Sequence, residues 1–213
     1  MVRKVQKHES VFLYIEGGGD RAALHDELRY GFAQFFSKAG CRGTMPRIVA
    51  CGGRAQAFDR FQTACANGKR AILLVDSETL VNATCESPWE HFQTREGDER
   101  LVKPQRVSDD DAHLMVCCME SWFLADRDAL TTYFGHGFNE NALPHENNQI
   151  ESIPKERVLG ELARATKNSR KGQYDKGRDS FTLIGLIDPQ KIEEKSPWAE
   201  RLLKKLRDIH GIQ

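Results

Sequence analysis

The stretch Arg70-Ala-Ile-Leu-Leu-Val-Asp-Ser-Glu78 constrains the fold more than any other part of the chain. Ala71 to Val75 is an unbroken apolar run that ends abruptly in two carboxylates. That is the pattern of a strand buried on both faces that delivers its acids to the end of a parallel sheet. Open α/β folds bind ligands at such strand ends. Asp76 and Glu78 lie two apart, so continued extension would point both side chains the same way, where they can share one divalent cation. A strand end with solvated acids is the competing reading.

The chain has 213 residues, 39% hydrophobic and 29% charged, enough for one sizeable core with a small appended subdomain. Lys plus Arg number 31 and Asp plus Glu 31, so any phosphate-binding surface must come from local segregation of charge. The six cysteines, Cys41, Cys51, Cys65, Cys85, Cys117 and Cys118, include no Cys-x-x-Cys pair. Four sit in apolar runs or helix-like segments, as small buried hydrophobes do in a reducing cytoplasm. No apolar stretch approaches the roughly 18 residues that span a bilayer, and Met1 to His8 lack a signal-peptide core. A cytoplasmic protein without a membrane partner is expected.

Val11 to Ile15 reads as a β-branched and aromatic strand ending in Glu16-Gly-Gly-Gly-Asp20, a glycine turn that lets backbone approach a phosphate or metal. Glu16 replaces the last apolar residue of that strand, where a carboxylate needs a reason to be. Asp20 is placed to cap the next helix or to stand in the outer shell of a metal. Leu24, Leu28, Phe32 and Phe35 or Phe36 predict an amphipathic helix over 21–38 that carries Arg29 and stops near Gly40. Arg47 to Cys51 is a second strand ending in Gly52-Gly53-Arg54, and Phe58, Phe61 and Cys65 mark a second helix closed by Asn67-Gly68. Strand, helix, strand, helix, strand implies parallel pairing with right-handed crossovers.

Residues 80–111 lose this pattern and predict a long insertion with one short helix, of a length that tends to be functional or mobile. His113 to Met119 restores a strand, ends again in an acid, Glu120, and leads into a third helix whose apolar side is Trp122, Phe123, Leu130, Tyr133 and Phe134, with Asp126 inside it. Loop-like residues 135–154 separate an α/β domain over 1–134 from a helical extension over 135–213, with helices over 155–166 and 198–209. Between these helices, 167–178 is the most basic segment. Lys171, Tyr174, Lys176 and Arg178 suit a flexible loop that grips phosphates, joined by Arg54, Lys155 and Arg29, and a solvated surface loop is the alternative.

Three strands thus end in acids: Glu16, the Asp76/Glu78 pair, and Glu120. In a parallel sheet these ends share one edge, and carboxylates crowded there repel unless protons or a cation neutralise them. Mg2+ or Mn2+ suits such an oxygen set, and can align a phosphodiester and acidify an attacking water.

The segments Tyr-Ile-Glu16-Gly-Gly-Gly-Asp20 and Leu-Leu-Val-Asp76-Ser-Glu78, with the glycine-terminated second strand, resemble the Toprim domain of topoisomerases, bacterial primases and Overcoming-Lysogenization-Defect nucleases. With Met-Val-Cys-Cys-Met-Glu120-Ser-Trp-Phe-Leu-Ala-Asp126 and Lys171-Gly-Gln-Tyr-Asp-Lys-Gly177, the chain is more closely similar to a bacterial Toprim-like family of unknown function. The resemblance implies a Rossmann-like, mostly parallel four-stranded sheet flanked by helices. It implies Glu16 as metal ligand or general acid/base, Asp76 and Glu78 as the paired-acid metal motif, and Glu120 as an added ligand. Position 78 departs from the usual aspartate, which moves the metal. A chain this short has no candidate tyrosine-nucleophile domain, so a Mg2+-dependent nuclease acting on DNA, or on RNA, in defence against phage or plasmids, is the activity implied.

Two other readings stand beside it. One is a Toprim-like subunit that binds nucleic acid or a partner and is active only with an ATPase. The other is a haloacid-dehalogenase-like phosphatase using Asp76, which wants Asp at position 78 and leaves Glu16 and Glu120 unexplained.

Overall fold

The computed structural model describes residues 10–43, 45–145 and 149–210. Met1 to His8, read above for a signal peptide, lie outside the described residues. Four strands, β1 (Phe12–Ile15), β2 (Arg47–Ala50), β3 (Ala71–Asp76) and β4 (Ala112–Met115), form one all-parallel sheet in the order β2-β1-β3-β4. Helices α1 (Ala22–Phe36) and α2 (Arg54–Ala66) connect the first three strands.

This order explains which helix covers which face. From β1 the chain moves one way to β2, then back across β1 to β3, so crossovers of one hand put α1 and α2 on opposite faces. The side chains agree. Leu13, Ile15, Ile72 and Leu74 pack in a core with Leu28, Phe32, Phe35 and Phe36 of α1. Their neighbours Tyr14, Leu73 and Val75 pack in a second core with Phe58 and Phe61 of α2 and with Trp89 and Phe92 of the short helix α3 (Pro88–Thr94). With a period of two and both faces covered, every residue of β3 is buried, Asp76 included. The strand order reverses at β1, so the crevice between the ends of β1 and β3 is the topological switch point.

The predicted strands, first two helices and short helix of the insertion are present, and Asn67 and Gly68 end α2 as expected, Gly68 with φ 72°. Three local expectations change. Asp20 does not cap α1: Arg21 holds that position with no side-chain cap, and Asp20 is exposed in the preceding turn. The fourth strand is shorter than the apolar run because Cys117 takes φ 63° and breaks the extension. The third helix is divided, a 3-10 turn over Met119–Ala125 holding Glu120, then α4 (Arg127–Phe134), whose first turn is capped by Asp126 through the Ala129 N–H.

The remaining helices are α5 (Lys155–Thr166), α6 (Lys176–Leu186), α7 (Pro189–Glu193) and α8 (Pro197–His210). Val158, Leu162, Phe181, Ile184, Leu202 and Leu206 join the same core as α1, so one continuous core runs across position 134. The basic segment 167–178 is not wholly a loop, since Asp175 caps α6 and Lys176 begins it.

Candidate acidic site at the sheet's switch point

Glu16 follows β1 directly, its N–H still donating to the Leu74 carbonyl, and its Oε2 accepts from the Asp76 N–H at 3.1 Å. Asp76 ends β3 with 5% of its surface exposed, and its Oδ1 accepts from the Met119 N–H at 2.9 Å. Ser77 is fully buried and ties the turn: its Oγ accepts from the Cys117 N–H at 2.7 Å and donates to the Thr79 carbonyl at 2.6 Å. Glu78 has φ 67°, so the extended continuation expected from Asp76 to Glu78 does not occur. That turn carries Glu78 to Lys155 at the start of α5, with Arg54 Nη2 3.6 Å from its other oxygen.

Arg54, expected on a nucleic-acid surface, lies inside the cluster. Its side chain is 10% exposed and binds both Asp98 oxygens at 2.9 and 2.6 Å, the Asp76 carbonyl, and Glu16 at 3.5 Å. Asp98 also pairs with Arg95 at 3.0 Å. Glu120 is fully buried in the turn after β4. It accepts from the Tyr174 hydroxyl at 2.9 Å, with Lys176 Nζ 3.5 Å away, while its Oε2 is buried with no hydrogen-bond partner among the described residues.

The predicted residues therefore divide. Glu16, Asp76, Glu78, Glu120, Arg54, Tyr174 and Lys176 are brought together through these contacts, with Lys155 added. Lys171 instead stacks over the Tyr133 ring at 3.9 Å, Arg178 forks onto Asp179 at 2.9 and 2.8 Å, and Arg29 pairs with the exposed Asp26 at 2.6 Å. Asp98 was missed, since a single acid in a Gly97-Asp98 turn of an irregular insertion carries no signal of its own.

Electrostatics single out two of the acids. Burial raises Glu16, and it raises Asp76 well above the usual carboxylate range, with the neighbouring Glu16 charge adding to it. Glu78 goes the other way: burial pushes it up, but the Lys155 hydrogen bond and the charges of Lys155 and Arg54 outweigh this and hold it low. Lys176 is raised because Glu120 and Asp76 outweigh its desolvation. Burial and the Glu120 charge drive the Tyr174 hydroxyl far up, so it stays a donor. Tyr174→Phe should cost about 1–3 kcal/mol, read as a lower Tm, because it strips the buried Glu120 carboxylate of a 2.9 Å hydrogen bond.

The raised pair has a consequence for pH. Both folded values exceed the ordinary 4.5 and 3.8, so above these the folded chain holds more protons than the unfolded one, and stability falls as pH rises through that window. Asp76→Asn keeps the acceptor for Met119 and removes the charge. The Tm difference, variant minus wild type, should widen from acid toward neutral pH, and a difference that does not vary with pH would contradict the raised pair.

Among the described residues no three His, Cys, Asp or Glu side chains are arranged to hold a metal ion as they stand. Lys155 and Lys176 hold Glu78 and Glu120. Glu16, 3.5 Å from Arg54, and Asp76 are the two of the four expected ligands without a lysine contact among the described residues, and two carboxylates could hold Mg2+, which keeps waters and completes its shell with substrate phosphates.

A cavity of about 300 Å3 opens beside this pair, lined by Glu16, Asp76, Glu78 and Lys176 and by the glycine turn Gly17–Gly19. Gly17 pairs with Gly52 through reciprocal N–H to carbonyl bonds of 2.7 and 3.0 Å, and φ values of 139°, 86° and 52° at Gly17, Gly18 and Gly19 are ones only glycine adopts without strain or with little of it. No helix among the described residues is long and apolar enough to cross a membrane. No curated protein and no solved structure matches the chain. The family model described as Domain of unknown function (DUF4276) matches residues 15–207, from the end of β1 into α8, and the chain belongs to that family.

Proposed function

We propose that the protein is a Mg2+- or Mn2+-dependent nuclease acting on DNA, with Glu16 and Asp76 as the centre of its site. The observation that carries this reading is the pair itself: two carboxylates with raised pKa at a switch-point crevice, beside a cavity lined by glycine backbone and one lysine. The resemblance of the Glu16 and Asp76 segments to Toprim domains supports it independently of the geometry.

The chemistry a divalent cation supplies at such a pair is neutralisation of charge on a phosphoryl group and acidification of water. The chain's own residues do the rest. Glu16, hydrogen-bonded to the Asp76 N–H and with burial raising its pKa above the ordinary glutamate value, is the acid placed to take up or release a proton beside the cavity. Lys176 reaches the acids with a side chain 57% exposed, so its ammonium can meet a phosphate from solvent. Arg54 fixes the acids from behind by holding Asp98 and the Asp76 carbonyl. Plasmid cleavage in Mg2+ or Mn2+ by wild type, lost in Asp76→Asn, is the expected result.

A second reading has an observation of its own. Lys155 and Lys176 already neutralise Glu78 and Glu120, as in a subunit whose site is completed by a partner such as an ATPase. Metal binding by the isolated chain without cleavage would favour that subunit, whether in phage defence or another setting.

A further inference from the structure

The cavity beside Glu16 and Asp76 has a side that phosphodiester chemistry alone does not explain. Leu24, Met119 and Phe181 line it, on α1, in the turn after β4 and on α6 respectively. Exposure grades the charged groups around them. Asp76 is 5% exposed and the Lys176 side chain 57%, so the acid lies deep and the lysine at the rim. Arg21 adds a second cation at the start of α6: its Nη2 lies 3.3 Å from where a side-chain carbon on Gly177 would stand.

We infer that this cavity takes one unpaired nucleotide of a DNA single strand, its base or sugar against Leu24, Met119 and Phe181 and its phosphate between Lys176 and the acids. The inference rests on the nuclease reading and names its substrate class. A volume of about 300 Å3 sits at the small end of ligand pockets and suits one nucleotide unit. In a duplex the bases are stacked, and bringing a nucleotide into a cavity of this size requires extruding it, a cost a single strand does not carry. The apolar wall gives the freed base or sugar a surface, and the rim cations give the backbone one.

Leu24 is half-buried, so it is the wall residue with the most surface left for a ligand, and it lies outside the acid cluster. The test is fluorescence anisotropy of a labelled thymidylate single strand, and of the same strand annealed to its complement, in Ca2+ so that binding is read without cutting. Wild type, Leu24→Gln and Leu24→Ala are compared, with Tm recorded for each and cleavage of the single strand and of plasmid in Mn2+ measured for wild type. Single strand bound about tenfold more tightly than duplex is expected, with that preference reduced in Leu24→Gln, which keeps the size of the side chain and removes its apolar surface. Leu24→Ala takes its place if the glutamine lowers Tm. Duplex bound equally or better, or Leu24 variants that keep the preference, overturns the inference; plasmid cleavage in the same samples then leaves the nuclease reading standing. Absence of both binding and cleavage removes both.

Discussion

Arg54→Met should destabilise the fold by about 3–5 kcal/mol, the range for removing one partner of a buried ion pair. Arg54 is the only cation in contact with Glu16, Asp98 and the Asp76 carbonyl at once among the described residues, and Asp98 is 2% exposed. Without the guanidinium, Asp98 keeps Arg95, but Glu16 loses the charge that offsets its burial. Arg54→Lys should recover only part of the loss, because an ammonium cannot span two Asp98 oxygens and a carbonyl as a planar fork does. Denaturant midpoints of the two variants check this. Near wild-type stability in Arg54→Met would mean that the acids are not held by this residue.

Gly31→Ala should cost about 3 kcal/mol, lowering Tm by roughly 6–12 °C in a domain of this size. A Cβ at Gly31 would lie 2.1 Å from the Phe181 carbonyl oxygen, which is backbone of α6 and cannot rotate away. Helix propensity acts in the opposite direction by about 1 kcal/mol, so the steric term must win for the fall to appear. Gly160→Ala is the control: it lies in α5 with nothing among the described residues within 4 Å of an added Cβ, and should gain up to about 1 kcal/mol. The Gly31 effect reaches the acids as well, because α6 carries Lys176. A Gly31→Ala protein that still folds should show weaker nucleic-acid binding.

The sheet was legible because β1 and β3 are written in aromatic, aliphatic and β-branched residues and run into an acid, Glu16 and Asp76, which composition exposes directly. The convergence of Glu16 with Asp76 followed from parallel strand ends sharing an edge, and the backbone bond from Asp76 to Glu16 bears out their closeness. What was not legible is tertiary. Glu78 leaves the extended path at a left-handed φ, fixed by Ser77 bonding to Cys117 and Thr79, and none of those partners is visible from a strand pattern. The helix α6 was hidden because Gly177 and Gly185 weaken its helical signature, whereas one side of it packs against the glycine of α1. Lys171 and Arg178 looked like phosphate contacts in a basic run, yet an aromatic ring and an adjacent acid hold them. Charge in a sequence does not reveal whether a neighbour already neutralises it.

The central claim is that Glu16 and Asp76 form an acidic pair that a divalent cation completes. Thermal unfolding with and without Mn2+ near neutral pH, wild type beside Asp76→Asn, tests it most directly. At a concentration about a hundred times Kd, Mn2+ should stabilise the wild type by about 2.7 kcal/mol, a rise in Tm of roughly 5–11 °C. Asp76→Asn should start from a higher Tm without metal and respond little to it. A wild type whose Tm ignores Mn2+, or a variant that responds as strongly, would contradict the claim.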